Sequence, residues 1–418
     1  MKLIALKEEV QKYQYLEDTS IIDVSLATII ANRLKLGDPV WLIIIGASSG
    51  GKSQILRPLA LTDEKFLHRV DDLTENTFLS GLRAKEGEKT SLLDRIGKQG
   101  MVVISDFTVI MSKSPETRAA ILSQFRMIYD GEMTKFSGNS PKPLKWEGYL
   151  GVLAGSTPSI YSHFEEVSDM GERFIYWRMK EFDQKKATEL ALSRKVFGRE
   201  LDVKLSDLYA EYIKDVVQTC IDKTIILPEE VTKRIIEVSM LAERVRTNAH
   251  KDWKGIVNKI PVSAMPMRIA LQLTAIAKGL GAIKLYENGK MQFSEKDLSI
   301  IDWLGYSLAN EENRACLKIM ASIPFDYVLT TQTIADKINL DTNIAGIILQ
   351  NLSAVGVLLR EGGSGGLQWK FSKQSDYDIV RRIEHIEETI EIANRDVTVE
   401  EGASYDVAVE DEFNSFGL

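Results

Sequence analysis

The clearest pattern along the chain is a set of short apolar runs separated by stretches of helical spacing. VWLIII (40–45), GMVVISDF (100–107), YLGVLAGSTP (149–158) and RFIYWRM (173–179) have the length and near-continuous apolarity of buried strands. Strands of this kind alternating with helical stretches predict an α/β domain, a parallel sheet with helices on both faces. Ahead of the first strand, residues 1–36 read as a helical segment. Within it, DVSLATIIANRL repeats apolar residues at helical spacing, with Asp23 as its cap.

From 183 to 297 the pattern is helical and poor in strands: DLYAEYIKDVVQTCI, PEEVTKRIIEVSMLAERV and PMRIALQLTAIAKGL. Pro228 suits a first helical position, with two glutamates following in the first turn. From 298 to 373 the reading is three helices and a hairpin. NRACLKIMASI is the first helix, and TTQTIADKINL, capped by Thr330 or Thr331, is the second. DTNIAGIILQNLSAVGV is the third, with Ile344, Ile347, Ile348 and Leu352 sharing a face. VLLREGGSGGLQWKFS then gives two short strands around a glycine-rich tip, the shape of a winged helix. Residues 374–418 read as an amphipathic helix, IVRRIEHIEETIEIA, running into a disordered tail. No internal repeat is visible.

Composition narrows the class. The 418 residues suffice for two or three domains, and 44% apolar with 27% charged residues is ordinary for a globular protein. No uninterrupted apolar stretch has the ~18 residues of a membrane span, and the first residues lack a signal peptide's apolar core. Two distant cysteines, Cys220 and Cys316, fit a reducing compartment, so a cytoplasmic protein with no membrane association is expected. The four histidines form no cluster, which argues against histidine-ligated metal chemistry. A net charge of -8 excludes a protein coated in basic residues, but leaves room for a basic channel. The charge is also uneven: Asp396 to Leu418 holds seven acidic residues and no basic one, a segment that solubilises or docks on a partner protein.

The sharpest chemistry is GASSGGKSQ, directly behind the first apolar run. Gly46, Gly51, Lys52 and Ser53 fill every fixed position of G-x-x-x-x-G-K-[ST], with Ser49, Gly50 and Gln54 as further members of the cradle. Backbone N–H groups and a helix N-terminus would hold the phosphates of ATP; Lys52 would reach the β- and γ-phosphates, and Ser53 would hold Mg²⁺. The second apolar run ends in a single carboxylate, Asp106. It is either the metal-side acid or the general base, and the residues alone leave that open.

GDPVWLIIIGASSGGKSQIL resembles the phosphate-loop region of the minichromosome-maintenance (MCM) AAA+ helicases, in the form carried by phages and mobile genetic elements. FLSGLRAKEGEKTSLLDRIGKQGMVVISDF keeps that family's order, with Gly81 and Leu82, an insert, Gly100 and the acid-bearing strand. The resemblance implies an AAA+ ATPase core over 37–182, a helical lid over 183–297 and a winged helix over 298–373. It also implies residue roles. Asp106, followed by Phe107, takes the place of the catalytic acid, which puts Ser105 where the family has a metal-side aspartate. Thr157, or its neighbour Ser156, replaces the sensor-1 asparagine. Arg173 in GERFIYWRM stands for the arginine finger, and Arg268 for sensor 2. A finger acting on a neighbour's nucleotide requires a homo-oligomer, a hexameric ring by the family's habit.

GEMTKFSGNSPKPLKWEGY, between the second and third runs, falls where the family has a hairpin that contacts DNA. Lys135, Lys142 and Lys145 are candidates for phosphate contacts there, and Trp146 is either a base-stacking residue or core. In the winged helix the third helix offers Asn343, Gln350, Asn351 and Ser353 but no basic residue, so Arg360 and Lys370 on the wing are the candidate DNA contacts; a protein-binding role is equally open. The resulting expectation is an ATP-dependent, ring-forming translocase or helicase on single-stranded or forked DNA. Two rivals stand beside it: an initiator or helicase loader that binds ATP without unwinding, and a nucleotide-gated DNA-binding regulator.

Overall fold

The computed structural model describes residues 1–48, 50–80, 91–136, 143–163, 173–180, 182–193, 195–247, 265–363, 366–384 and 398–399. Ser49, Gly81, Leu82, Lys142 and the acidic tail beyond residue 399 lie outside them. The chain divides into two compact units, Met1–Lys233 with Arg268–Leu304, and Arg234–Met267 with Gly305–Leu418.

The first unit is an α/β unit. Its strands are β1 (Trp41–Ile45), β2 (Leu67–Val70), β3 (Gln99–Ile104), β4 (Glu132–Lys135), β5 (Leu144–Glu147), β6 (Tyr149–Ser156) and β7 (Ile175–Arg178). Five of them form one sheet in the order β2-β3-β6-β1-β7, every pairing parallel. All of β1 is buried, as are all but the first residues of β3 and β6, which is why these strands read as continuous apolar runs. β4 and β5 pair antiparallel as a separate hairpin inserted before β6.

Register shows how both faces are covered. Trp41 lies beside Val152, and its ring packs on Phe125 (5.4 Å) and Tyr129 (5.0 Å) of the helix Pro115–Tyr129. Gly151, the next residue along β6, points the other way; a side chain there would collide with Asn32 of the helix Ser20–Leu34 at 2.5 Å. Helices therefore flank the sheet, with an aromatic core of Trp41, Phe78, Phe107, Phe125 and Phe174 under one face. Asn32 also closes the start of β1: its Oδ1 accepts from Val40 N (3.0 Å) and its Nδ2 donates to Val40 O (3.1 Å).

Several expectations change. The leading segment is helical and consists of two helices, Leu3–Gln11 and Ser20–Leu34. Thr19 holds the N-cap position of the second, and Asp23 is buried in its first turn, bonded to Lys7 Nζ at 2.5 Å. The strand β2 was missed, because LHRV is only half apolar and buries just its two ends. The helix Met267–Asn288 is long and apolar enough to cross a membrane by composition, although its apolar run is broken by Lys278; 61% of that window is buried within the protein. Its burial is that of a core helix: Gly279 lies so close to Ala27 that a side chain there would meet the Ala27 carbonyl at 2.2 Å.

The second unit holds the helices Glu311–Ala321, Thr331–Lys337, Thr342–Ala354 and Gln374–Ile383. Its strands are β8 (Tyr327–Thr330), β9 (Leu358–Gly363), β10 (Gly366–Phe371) and β11 (Thr398–Val399). They pair antiparallel in the order β11-β8-β10-β9. Thr330, not Thr331, caps its helix, accepting from Thr333 N at 3.1 Å. The helix Thr342–Ala354 buries Ala345, Ile348, Leu349 and Leu352, whereas Ile344 is turned to solvent, so the buried face is centred one residue on from the expected one. Arg244 clamps Asp376 through two 2.5 Å hydrogen bonds, and Asp376 is 1% exposed. Both cysteines are free and buried, and burial pushes their thiols up, that of Cys316 to about 12.

Candidate functional site

The glycine-rich loop joins β1 to the helix Lys52–Ala60, at the carboxyl edge of the sheet. Open parallel sheets bind ligands at this edge, outside the strand ends. Gly51 takes φ +84°, a left-handed conformation that a side chain would strain, and it is the helix N-cap. Gly51 offers no side chain to cap the helix and the first turn holds no acid, so the N–H groups of Lys52 and Ser53 can meet an external anion. Gly46 is bound to β6 through Ser156 O (3.2 Å), and Met179 leaves no space for a side chain on it. A side chain on Gly50 would press on the Ala47 carbonyl at 3.0 Å.

Lys52 is 8% exposed and turns back into this loop, donating to Gly46 O (2.7 Å) and Ala47 O (2.6 Å). Burial lowers its pKa, and the charge of nearby Asp106 partly opposes that. Ser53 follows, half-buried, and Gln54 N closes the turn on Gly51 O (2.9 Å).

Asp106 stands past the end of β3, exposed, its carboxylate accepting from Thr108 N (2.9 Å). It is anchored by the buried Phe107, whose N–H donates to Gly155 O at 2.6 Å. Thr157 is next to it: Thr108 Oγ1 lies 3.4 Å from both Ser156 Oγ and Thr157 Oγ1. Lys52, Asp106, Thr108, Ser156 and Thr157 thus converge on one edge. Thr108 was missed in the sequence; its signal was a hydroxyl two residues beyond the strand-end acid. This set of helix N–H groups, an ammonium, hydroxyls and a carboxylate can hold a phosphate-bearing anion and position a water beside it. Ser53 and Asp106 are the residues that would hold a divalent cation with it.

The two arginines lie elsewhere. Arg173 precedes β7, and Leu42 lies beside Ile175, so Arg173 is at the amino edge, across the sheet from the loop. It is 6% exposed, bonded to Asp130 (2.9 and 3.1 Å), with its guanidinium 5.5 Å from the centre of the Tyr129 ring. Arg268 shares that edge. Gln272, one turn along the same helix, accepts from Trp41 N at the start of β1 (3.2 Å), and both arginine charges act on the Tyr129 hydroxyl. Burial, seconded by Asp38, outweighs them and raises the Tyr129 pKa.

The β4–β5 hairpin springs from the same amino edge, between Tyr129 and the start of β6. One face is packed: Met133 and Trp146 are buried, and Trp146 Nε1 donates to Gly97 O (2.7 Å), so Trp146 is core. Lys135 is on this face, and its ammonium donates to Glu75 O (2.8 Å), Asn76 Oδ1 (2.8 Å) and Leu79 O (3.2 Å), using all three of its protons. The other face presents Thr134, its cross-strand partner Lys145, and Phe136, which is 82% exposed. Phe136 was passed over in the sequence; the alternation that buries Met133 and Trp146 was the signal that it faces out.

In the second unit Arg360 is exposed on β9, while Lys370 on β10 is tied to Glu361 at 2.8 Å.

No family model matches the chain. No curated protein matches it in sequence. Among solved structures, the apo A form of the NrS-1 C-terminal region is similar over 89% of this chain and 76% of that one, at 11% identity and a TM-score of 0.27.

Proposed function

We propose that the protein is an AAA+-type ATPase that acts on DNA in replication as a ring-forming translocase or helicase. The observation that carries the reading is the convergence at the carboxyl edge: an uncapped helix N-terminus behind a glycine turn, Lys52 within it, and Asp106 and Thr157 beside it. ATP with Mg²⁺ is the ligand this set suits, with Ser53 and Asp106 toward the metal. When bound, the metal would neutralise charge on the transferred phosphoryl group.

Arg173 and Arg268 sit at the opposite edge of the same sheet, so neither serves the nucleotide of its own subunit. A head-to-tail ring, in which one copy's amino edge meets the next copy's carboxyl edge, gives both a task. The helices and strands between 311 and 371 fit a winged helix, with Arg360 exposed on its hairpin. The outward face of the hairpin, with Phe136 and Lys145, fits contact with single-stranded DNA.

ATP hydrolysis measured with and without single-stranded DNA, against Lys52→Ala as the blank, tests the reading. A rate that rises severalfold with DNA supports a coupled motor. ATP binding without turnover in either condition favours the initiator or loader, which Ser105 in place of a second acid and the Arg173–Asp130 pair also favour.

A further inference from the structure

The helix behind the phosphate loop contains a proline, Pro58. Proline has no N–H, so the carbonyl of Gln54, four residues earlier, loses its helical donor. Gln14 supplies the replacement: its Nε2 donates to Gln54 O at 2.5 Å. That commitment fixes the orientation of the amide and leaves Oε1 as a pure acceptor. Gln14 is 4% exposed, and its Oε1 is buried with no hydrogen-bond partner among the described residues. A buried acceptor without a donor is destabilising, so it calls for a ligand that brings one.

The surroundings say which ligand. Gln14 touches the first turn of the phosphate-loop helix. The residues after it join the run that follows β7: Tyr15 packs against Phe182 with ring centres 6.4 Å apart, Asp183 N donates to Glu17 (3.3 Å), and Lys180 pairs with Asp18 (3.7 Å). β7 ends at Arg178, level with Ile45, the last residue before the loop. The segment 14–18 therefore stands at the carboxyl edge, beside the phosphate cradle; it carries the buried Gln14 acceptor and the half-buried ring of Tyr15, against which the half-buried Phe182 packs.

We infer that Gln14 Oε1 accepts a hydrogen bond from the exocyclic amine of an adenine whose phosphates lie in the 46–53 loop, and that it selects adenine over guanine nucleotides; this rests on the nucleotide-binding reading above. Guanine carries a carbonyl oxygen where adenine carries that amine, and would set two acceptors against each other. Tyr15 and Phe182 supply the apolar surface for the ring.

The test is equilibrium displacement of a fluorescent ATP analogue from the full chain by ATP and by GTP, without turnover. The wild type is expected to prefer ATP by about tenfold or more. Gln14→Met, which removes acceptor and donor, is expected to bring that ratio to about one. Gln14→Lys keeps a donor for Gln54 O but no acceptor; it is expected to lose the preference too, and guards against a folding defect in the first variant. Variants that weaken ATP and GTP equally, with the ratio intact, would reduce Gln14 to a brace for the Gln54 carbonyl and overturn the inference. A wild type that binds both nucleotides equally overturns it while the nucleotide reading stands; one that binds neither overturns both.

Discussion

At the carboxyl edge of the five-stranded sheet the chain leaves groups open; at the amino edge of the same sheet it ties them down. The first edge has a helix N-terminus without a side-chain cap, a lysine donating to two loop carbonyls, and an exposed Asp106. At the second, Asn32 closes both backbone groups of Val40, Gln272 takes Trp41 N, and Arg173 is locked to Asp130. The contrast teaches that the groups of the carboxyl edge gather within one copy, whereas at the amino edge Arg173 is already committed to Asp130. If the proposed ring forms, breaking the Arg173–Asp130 pair is part of its assembly, and a neighbour's nucleotide would compensate it.

The largest expected effect tests that division. Arg173→Ala and Lys52→Ala should each lower ATP hydrolysis by about a thousandfold, the scale of losing a charge clamp on a transferring phosphoryl group. Mixed, the two variants should regain measurable activity, since some interfaces then pair an intact amino edge with an intact carboxyl edge. A mixture as inactive as its components would show that Arg173 does not act across an interface and that its pair with Asp130 is structural.

Next in size is Asp106→Asn, expected to cost about a hundredfold in turnover while nucleotide affinity holds. Ser105→Asp on the wild-type background sharpens the assignment. If Asp106 is the base, a second acid on the metal side should lower the Mg²⁺ concentration needed for half-maximal rate severalfold. No change in that requirement would place Asp106 on the metal instead.

What the sequence made legible follows from the same contrast. The carboxyl edge was readable because its chemistry is local: Gly46 to Gln54 are contiguous, and Asp106 and Thr157 are simply the residues after apolar runs. The amino edge was not, because it is assembled from distant parts. Nothing near Arg173 in sequence announces Asp130, and nothing near Arg268 announces Trp41 or Tyr129. The same holds for Gln14, whose partner is 40 residues away and whose role depends on a proline four positions beyond that partner. β2 escaped because two buried ends with polar residues between them make no periodic signal. The surroundings of Lys135, named as a candidate DNA contact, were hidden for a related reason: its three acceptors lie on residues 75 to 79, far from it in sequence.

The hairpin gives a smaller effect that separates those two kinds of residue. Phe136→Ala should weaken single-stranded DNA binding about tenfold, the loss of one stacked base, with melting temperature unchanged. Lys135→Ala should do the reverse, lowering the melting temperature by a few degrees by orphaning the acceptors on 75–79 and sparing DNA affinity. Equal losses of affinity in both variants would mean that the packed face of the hairpin, not the outward one, meets the strand.

The smallest effect belongs to Lys52 in the absence of nucleotide, and its sign is fixed by burial. Its pKa in the folded protein lies below the ordinary 10.5, chiefly because the charged form is desolvated. Below the folded value both states are protonated and the full cost of the buried charge is present. Between the folded value and 10.5 the unfolded chain binds more protons, so stability rises with pH over that interval. Lys52→Met removes the titration and leaves every other lysine in place. The melting temperature of the variant minus that of the wild type should therefore fall as pH rises from 7 towards 10, by an amount on the order of 2 °C. A difference that stays flat would mean that the ammonium is solvated at the loop, its charge carrying no burial cost for a phosphate to relieve.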